Sequence, residues 1–158
     1  MLFIETDIKV QNDVLTRDMI HKTICSVFHI LRTKGLLTGK NIEENDDVSI
    51  SVVVTDNDEI AFLNKEYRGI DMPTDVLSFA FCDDSVMPNL QNVVLGDIVI
   101  SYPYLKKSAE DNGVHETEEA KRLIVHSVLH LLGYNHNTSD FKTEPMLVLQ
   151  EEILEEMK

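Results

Sequence analysis

The segment His126-Ser127-Val128-Leu129-His130-Leu131-Leu132-Gly133-Tyr134-Asn135-His136 constrains the chain more tightly than any other. Residues four apart on a helix lie one above the other on the same face. His126 and His130 therefore present two imidazoles together. Gly133 permits a left-handed turn that breaks the helix. The chain then swings back, and His136 is placed to supply a third nitrogen. Three of the six histidines fall in this segment, while His21, His29 and His115 have no such spacing. Three neutral nitrogens with a fourth position open to water form the ligand set of a catalytic zinc site, whereas structural sites often close with Cys. Cys25 and Cys82 are remote from the segment and lack CxxC spacing, so two free buried thiols are expected.

The rest of the chain must support that helix. Leu2 to Val10 reads as a strand, and Asp13 as the cap of a helix running to about Lys34. The apolar stripe of that helix is Leu15, Met19, Ile20, Ile24, Val27, Phe28 and Leu31. A strand over 48–54 follows, then a helix capped by Asp56 or Asn57 that stops near Gly69. Strands are expected over 76–81 and 93–100, with helices over 102–111, 117–132 and 145–156. The 158 residues, 43% apolar and 27% charged, suit one domain with a real core. The expected fold is a single α+β domain over 1–158, a mixed sheet of about four strands covered by about five helices. The first residues reach Glu5 and Asp7 after a short apolar run, which is not a secretory signal, and no run spans a bilayer. A cytoplasmic protein with no membrane partner is expected.

A second dense stretch runs from Asn64 to Phe79. Arg68 stands at a helix end before Gly69, where its guanidinium could satisfy terminal carbonyls. It could instead face the metal cleft and bind phosphate bidentately. Thr74 and Asp75 shape the turn into the next strand, and Asp97 reads as structural rather than as a ligand. The histidine segment also resembles the metzincin pattern H-E-x-x-H-x-x-G-x-x-H at every position but one. Ser127 replaces the protease's general-base Glu, and a serine cannot take a proton from zinc-bound water as a carboxylate does. The peptidase reading is therefore demoted.

Taken together, the two stretches resemble the YbeY family of bacterial ribosomal RNA maturation factors, whose pattern is close to H-G-x-L-H-L-x-G-Y-D-H. Further matches are Leu63-Asn64 with Tyr67-Arg68, Pro73 to Phe79, Leu95-Gly96-Asp97-Ile98, and the closing helix at Met146 and 151–154. The resemblance covers the chain from about Val48 onward. It implies one zinc ion per chain held by His126, His130 and His136, with Arg68 as the catalytic arginine. It implies a zinc-dependent endoribonuclease for single-stranded ribosomal RNA, acting in 16S 3′-end processing and ribosome quality control. The partners it implies are the small ribosomal subunit and assembly proteins, and not DNA. Ser127 and Asn135 depart from the family's Gly and Asp without changing a ligand. Activated water is the preferred nucleophile, and a ribose 2′-hydroxyl its rival. A zinc hydrolase for another substrate and a non-catalytic ribosome-assembly factor are the competing readings.

The net charge of −14 first argues against a broadly basic nucleic-acid surface. The acids are unevenly placed, however. Residues 41–60 hold seven and no Lys or Arg, and residues 138–158 hold six against two bases. Residues 1–40 are net positive by two. Net charge bears on non-specific association rather than on what one cleft can do. Weak non-specific RNA binding is expected, with a small positive site at the zinc and Arg68 and with targeting by a partner.

Overall fold

The β-branched runs pair into one sheet because each can bury a face. A computed structural model of the chain describes residues 1–37, 42–43, 45–81, 92–134 and 145–158. The strands are β1 (Leu2–Ile8), β2 (Asp47–Thr55), β3 (Val76–Ala80) and β4 (Asn92–Ser101). The helices are α1 (Arg17–Thr33), α2 (Asn57–Arg68), α3 (Tyr102–Asn112), α4 (Glu116–Leu131) and α5 (Pro145–Glu156). The sheet order is β1-β2-β4-β3, with β1, β2 and β4 parallel and β3 antiparallel to β4. The fold is the expected single α+β domain with a mixed four-stranded sheet. No helix among the described residues is long and apolar enough to cross a membrane.

The two faces of the sheet are covered unequally. Val48, Ile50, Val52, Val54, Ile98 and Ile100 turn toward α1, α4 and α5 and form the main core. On the other face Ile60 of α2 packs on Leu77 and Val99, with Leu63 and Phe79 at the margin. Successive strand residues alternate faces, so Val76 joins the first cluster and Leu77 the second. α4 is buried along most of its girth, through Ala120, Leu123, Ile124, Val125, Val128, Leu129 and Leu131.

Helix α1 starts later than the sequence suggests. Its cap is Thr16, whose hydroxyl accepts from the Met19 N–H at 3.2 Å. Asn12 is the reason: its side-chain oxygen accepts from Val14 and Leu15 N–H and holds 12–15 as a separate turn. Cys25 is another correction, because it is exposed on the outer face of α1 while Ile24 and Val27 point inward. Cys82 lies outside the described residues.

A bulge in β4 sets the phase of its inner half. Ser49 pairs with Val94 but Ile50 pairs with Gly96, so Leu95 is an extra residue. The insertion lets Leu95 share the core face with Ile98 and Ile100. Gly96 takes φ +143, and a Cβ there would lie 2.0 Å from the Phe79 carbonyl oxygen on β3. Both conditions demand glycine. Replacing Gly96 by alanine is expected to cost about 3 kcal/mol or more through strain and clash. The urea midpoint of unfolding measures this.

Candidate metal centre and anion cleft

Helix α4 ends in a hydrogen-bonded motif that also orients its histidines. The Tyr134 N–H bonds the Leu129 carbonyl at 3.0 Å and the Gly133 N–H bonds the His130 carbonyl at 3.0 Å. This is a Schellman ending, with Gly133 at φ 95. It carries the Tyr134 carbonyl back to His130, whose Nδ1 lies 3.1 Å from it. A carbonyl can only accept, so that Nδ1 bears the ring proton and Nε2 keeps its lone pair. His126 is held similarly, with Nδ1 2.7 Å from Oε1 of the buried Gln150 on α5.

The two Nε2 atoms come together at 2.9 Å, with the rings edge to face. With both protons on Nδ1, two lone pairs converge on one point. Such a pair is stabilised by a cation between them, and zinc takes imidazole nitrogens at ~2.0–2.1 Å. The donor chemistry and the fixed tautomers therefore fit zinc. Among the described residues no cluster of three or more His, Cys, Asp or Glu is assembled. His136, the third expected ligand, lies outside the described residues, as does Asn135.

The histidine pair opens into a cleft of about 450 Å³ between α4 and the outer flank of β3. Arg68 and Arg122 line it, with Asp75 and Ser78. Arg68 is the last residue of α2 and reaches the Ser78 carbonyl with Nη2 at 3.4 Å. It thus shares the cleft with His126 and His130. Buried Asn64 holds this corner, because its side-chain amide donates to the Met72 carbonyl at 2.9 Å and ties the following loop to α2. Asp75 shapes the turn as expected, accepting from the Val76 N–H at 2.7 Å and from the Thr74 hydroxyl at 3.3 Å.

Arg122 belongs to the same face as the histidines, since 122, 126 and 130 are successive i+4 positions. Both its Nε and Nη2 donate to Glu119, which is buried. That bond holds the guanidinium above even its usual pKa, against the opposing effect of burial. Neither Arg122 nor Gln150 stands in either of the two dense sequence stretches. The i+4 series would have found the first. The second stands out as a polar residue on the buried face of α5, beside Met146, Leu149 and Ile153.

The other readings resolve simply. His115 is exposed at the N-terminal end of α4, far along the helix from His130, and His29 is exposed on α1. Asp97 lies within β4 opposite Phe79, and its carboxyl is shifted up by burial and by Glu5. Ser127 is fully buried on α4, and its hydroxyl has no hydrogen-bond partner among the described residues.

The endoribonuclease YbeY family profile matches residues 32–158. The chain belongs to that family. An endoribonuclease YbeY of Persephonella marina is 46% identical over 145 residues, covering 92% of each chain. Its counterpart in Sulfurihydrogenibium is 39% identical over 144 residues, 91% of each. The Borreliella burgdorferi protein is 43% identical over 117 residues, 71% of this chain and 76% of its own. The solution structure of a Thermotoga maritima protein superposes with a TM-score of 0.60 at 23% identity, over 99% of this chain and 88% of that one, and shares the fold.

The role of Gln150 can be measured directly. Gln150→Leu keeps the apolar packing of α5 but removes the acceptor for His126. Zinc affinity is expected to fall ~10–100-fold, the usual cost of losing such an outer partner. Gln150→Glu keeps an acceptor and is expected to bind nearly as wild type. Competition against a chromophoric chelator reads both.

Proposed function

We propose that this protein is a zinc-dependent endoribonuclease that cuts single-stranded ribosomal RNA during its maturation. The observation that carries the reading is the sharing of one cleft by the converging Nε2 atoms of His126 and His130 and by Arg68. Membership of the family, and relatives named as endoribonucleases, support it.

His126, His130 and His136 would hold the ion. Zinc so held supplies Lewis acidity toward a phosphoryl oxygen and lowers the pKa of water. The chain's own residues do the rest. Gln150 and the Tyr134 carbonyl keep both rings in the tautomer that offers Nε2. Arg68 neutralises charge growing on the non-bridging oxygens, a task suited to a planar guanidinium that can grip two oxygens at once. The Ser78 carbonyl accepts from that guanidinium and steadies it. Arg122, pinned by Glu119, holds its guanidinium on the same wall with its charge balanced by that carboxylate. His126 is flanked by buried Ser127 instead of a carboxylate, so the arrangement lacks the base a peptidase would carry at that position.

Arg68 is exposed at a helix end, so Arg68→Ala should leave the fold intact. Cleavage of single-stranded ribosomal precursor RNA is expected to slow by ~10²–10³. Unchanged cleavage would reduce Arg68 to a helix-end residue. Chelation of the metal is expected to abolish cutting and zinc to restore it; a metal-free preparation with full activity contradicts the zinc role. Analysis of the product ends identifies the nucleophile. A 5′-phosphate with a 3′-hydroxyl, or the reverse without a cyclic intermediate, is expected from water. A 2′,3′-cyclic phosphate assigns attack to the ribose hydroxyl.

A further inference from the structure

The register of β3 turns part of its main chain into the cleft. In the antiparallel pair with β4, the Ser101 N–H bonds the Asp75 carbonyl and the Phe81 N–H bonds the Leu95 carbonyl, both at 2.9 Å. Residues 75, 77, 79 and 81 therefore exchange bonds with β4, and Val76, Ser78 and Ala80 point their N–H and C=O groups the other way. Among the described residues no strand lies on that side, because β3 is the sheet edge. The same three residues line the cleft that holds Arg68, His126 and His130.

The edge is not uniform. The first outward donor, the Val76 N–H, is closed by the Asp75 carboxylate at 2.7 Å. The central acceptor, the Ser78 carbonyl, already takes the long bond from Arg68 at 3.4 Å. What faces the cleft at Ser78 is thus an amide donor next to a guanidinium, followed two residues on by the Ala80 amide. Two such donors on one side of a strand are ~6.8 Å apart. A polypeptide strand pairing with this edge would need both groups of Ser78, and one is in use. An anion needs only the donors and the cation.

We propose that the outward N–H groups of Ser78 and Ala80, beside Arg68, bind phosphate oxygens of the RNA strand as it runs along β3 past the histidines. This subsite rests on the reading of the cleft as an RNA-cutting site. Main-chain amides fix the register of a phosphate backbone without reading sequence. The edge would therefore place a phosphodiester beside the histidines whatever bases flank it.

The test uses the full-length, zinc-loaded, ¹⁵N-labelled chain and a single-stranded 2′-O-methyl oligoribonucleotide as probe. The Ser78 and Ala80 amide resonances are expected to move with saturation of binding. Ser78→Pro deletes an N–H that the β3–β4 ladder does not use, which an edge strand tolerates. Its affinity for the probe is expected to fall about ten-fold, as for the loss of one charge-assisted hydrogen bond. The KM for a cleavable RNA is expected to rise by a similar factor, with kcat largely kept. Ala80→Pro should act in the same direction, and the wild-type titration decides the matter even where a proline variant fails to fold. Saturable RNA binding that leaves both amides unmoved overturns the subsite but leaves the endoribonuclease reading standing. Wild-type affinity in a folded Ser78→Pro does the same. A wild-type protein that neither binds nor cuts RNA overturns both. Movement of these amides by an extended peptide, and not by RNA, overturns the proposal in favour of strand addition.

Discussion

The burial of α4 is the constraint on which the rest of the structure depends. The helix is covered by the sheet on one side and by α1, α3 and α5 around it, and its buried residues run from Glu119 to Leu131. A helix so enclosed leaves one narrow flank for chemistry, and Arg122, His126 and His130 occupy it. Their backbone is fixed by the same packing that stabilises the fold. Each fully buried Leu, Ile or Val contributes about 1.5–3 kcal/mol before the entropy of ordering is subtracted. The site therefore inherits its rigidity from the core and needs few contacts of its own.

Two helix endings convert that rigidity into a cleft. At the end of α4, the bonds that satisfy the last carbonyls also bring the Tyr134 carbonyl to His130. At the end of α2, Gly69 closes the helix and Asn64 grips the loop beyond it, so Arg68 leans over the outer edge of β3. Local hydrogen-bond satisfaction and functional orientation are thus one event at each place. The buried Ser127 hydroxyl shows the limit of this economy. It lies next to His126 in sequence yet faces the core, where the hydroxyl finds no hydrogen-bond partner among the described residues.

Much of this was legible in the residues. β-branched runs located all four strands, and helical spacing located the five helices, with α5 falling on 145–156 as expected. The i, i+4 rule brought His126 and His130 together, and Gly133 marked the turn. What periodicity could not supply was contact between distant segments. Arg68 lines the cleft only because β3 is antiparallel and at the edge, a property of strand order rather than of any local pattern. Gln150 touches His126 across 24 positions of chain, and nothing near either residue announces the bond. Helix α1 is capped by Thr16 rather than by Asp13 because the Asn12 side chain takes the Val14 and Leu15 N–H groups into a turn of their own, and side-chain bonds of that kind outweigh propensity. Cys25 was expected inside from its residue type, whereas its place in the helical stripe puts it outside.

Charge links the site to its surroundings. The net −14 sits heavily on α5, with Glu151, Glu152, Glu155 and Glu156, and on the segment from Glu43 to Glu59. The cleft gathers Arg68 and Arg122, with Glu119 balancing the charge of the second and the Asp75 carboxylate lining the same wall. At physiological salt, fields fade over ~8 Å. A polyanion approaching the molecule meets repulsion first and the arginines only on contact. Under the proposed function, such a layout gives slow capture of free RNA and a firm grip on RNA already placed in the cleft. Selectivity then comes from whatever delivers the strand, while the edge of β3, Arg68 and the histidine pair need only hold one phosphodiester in register.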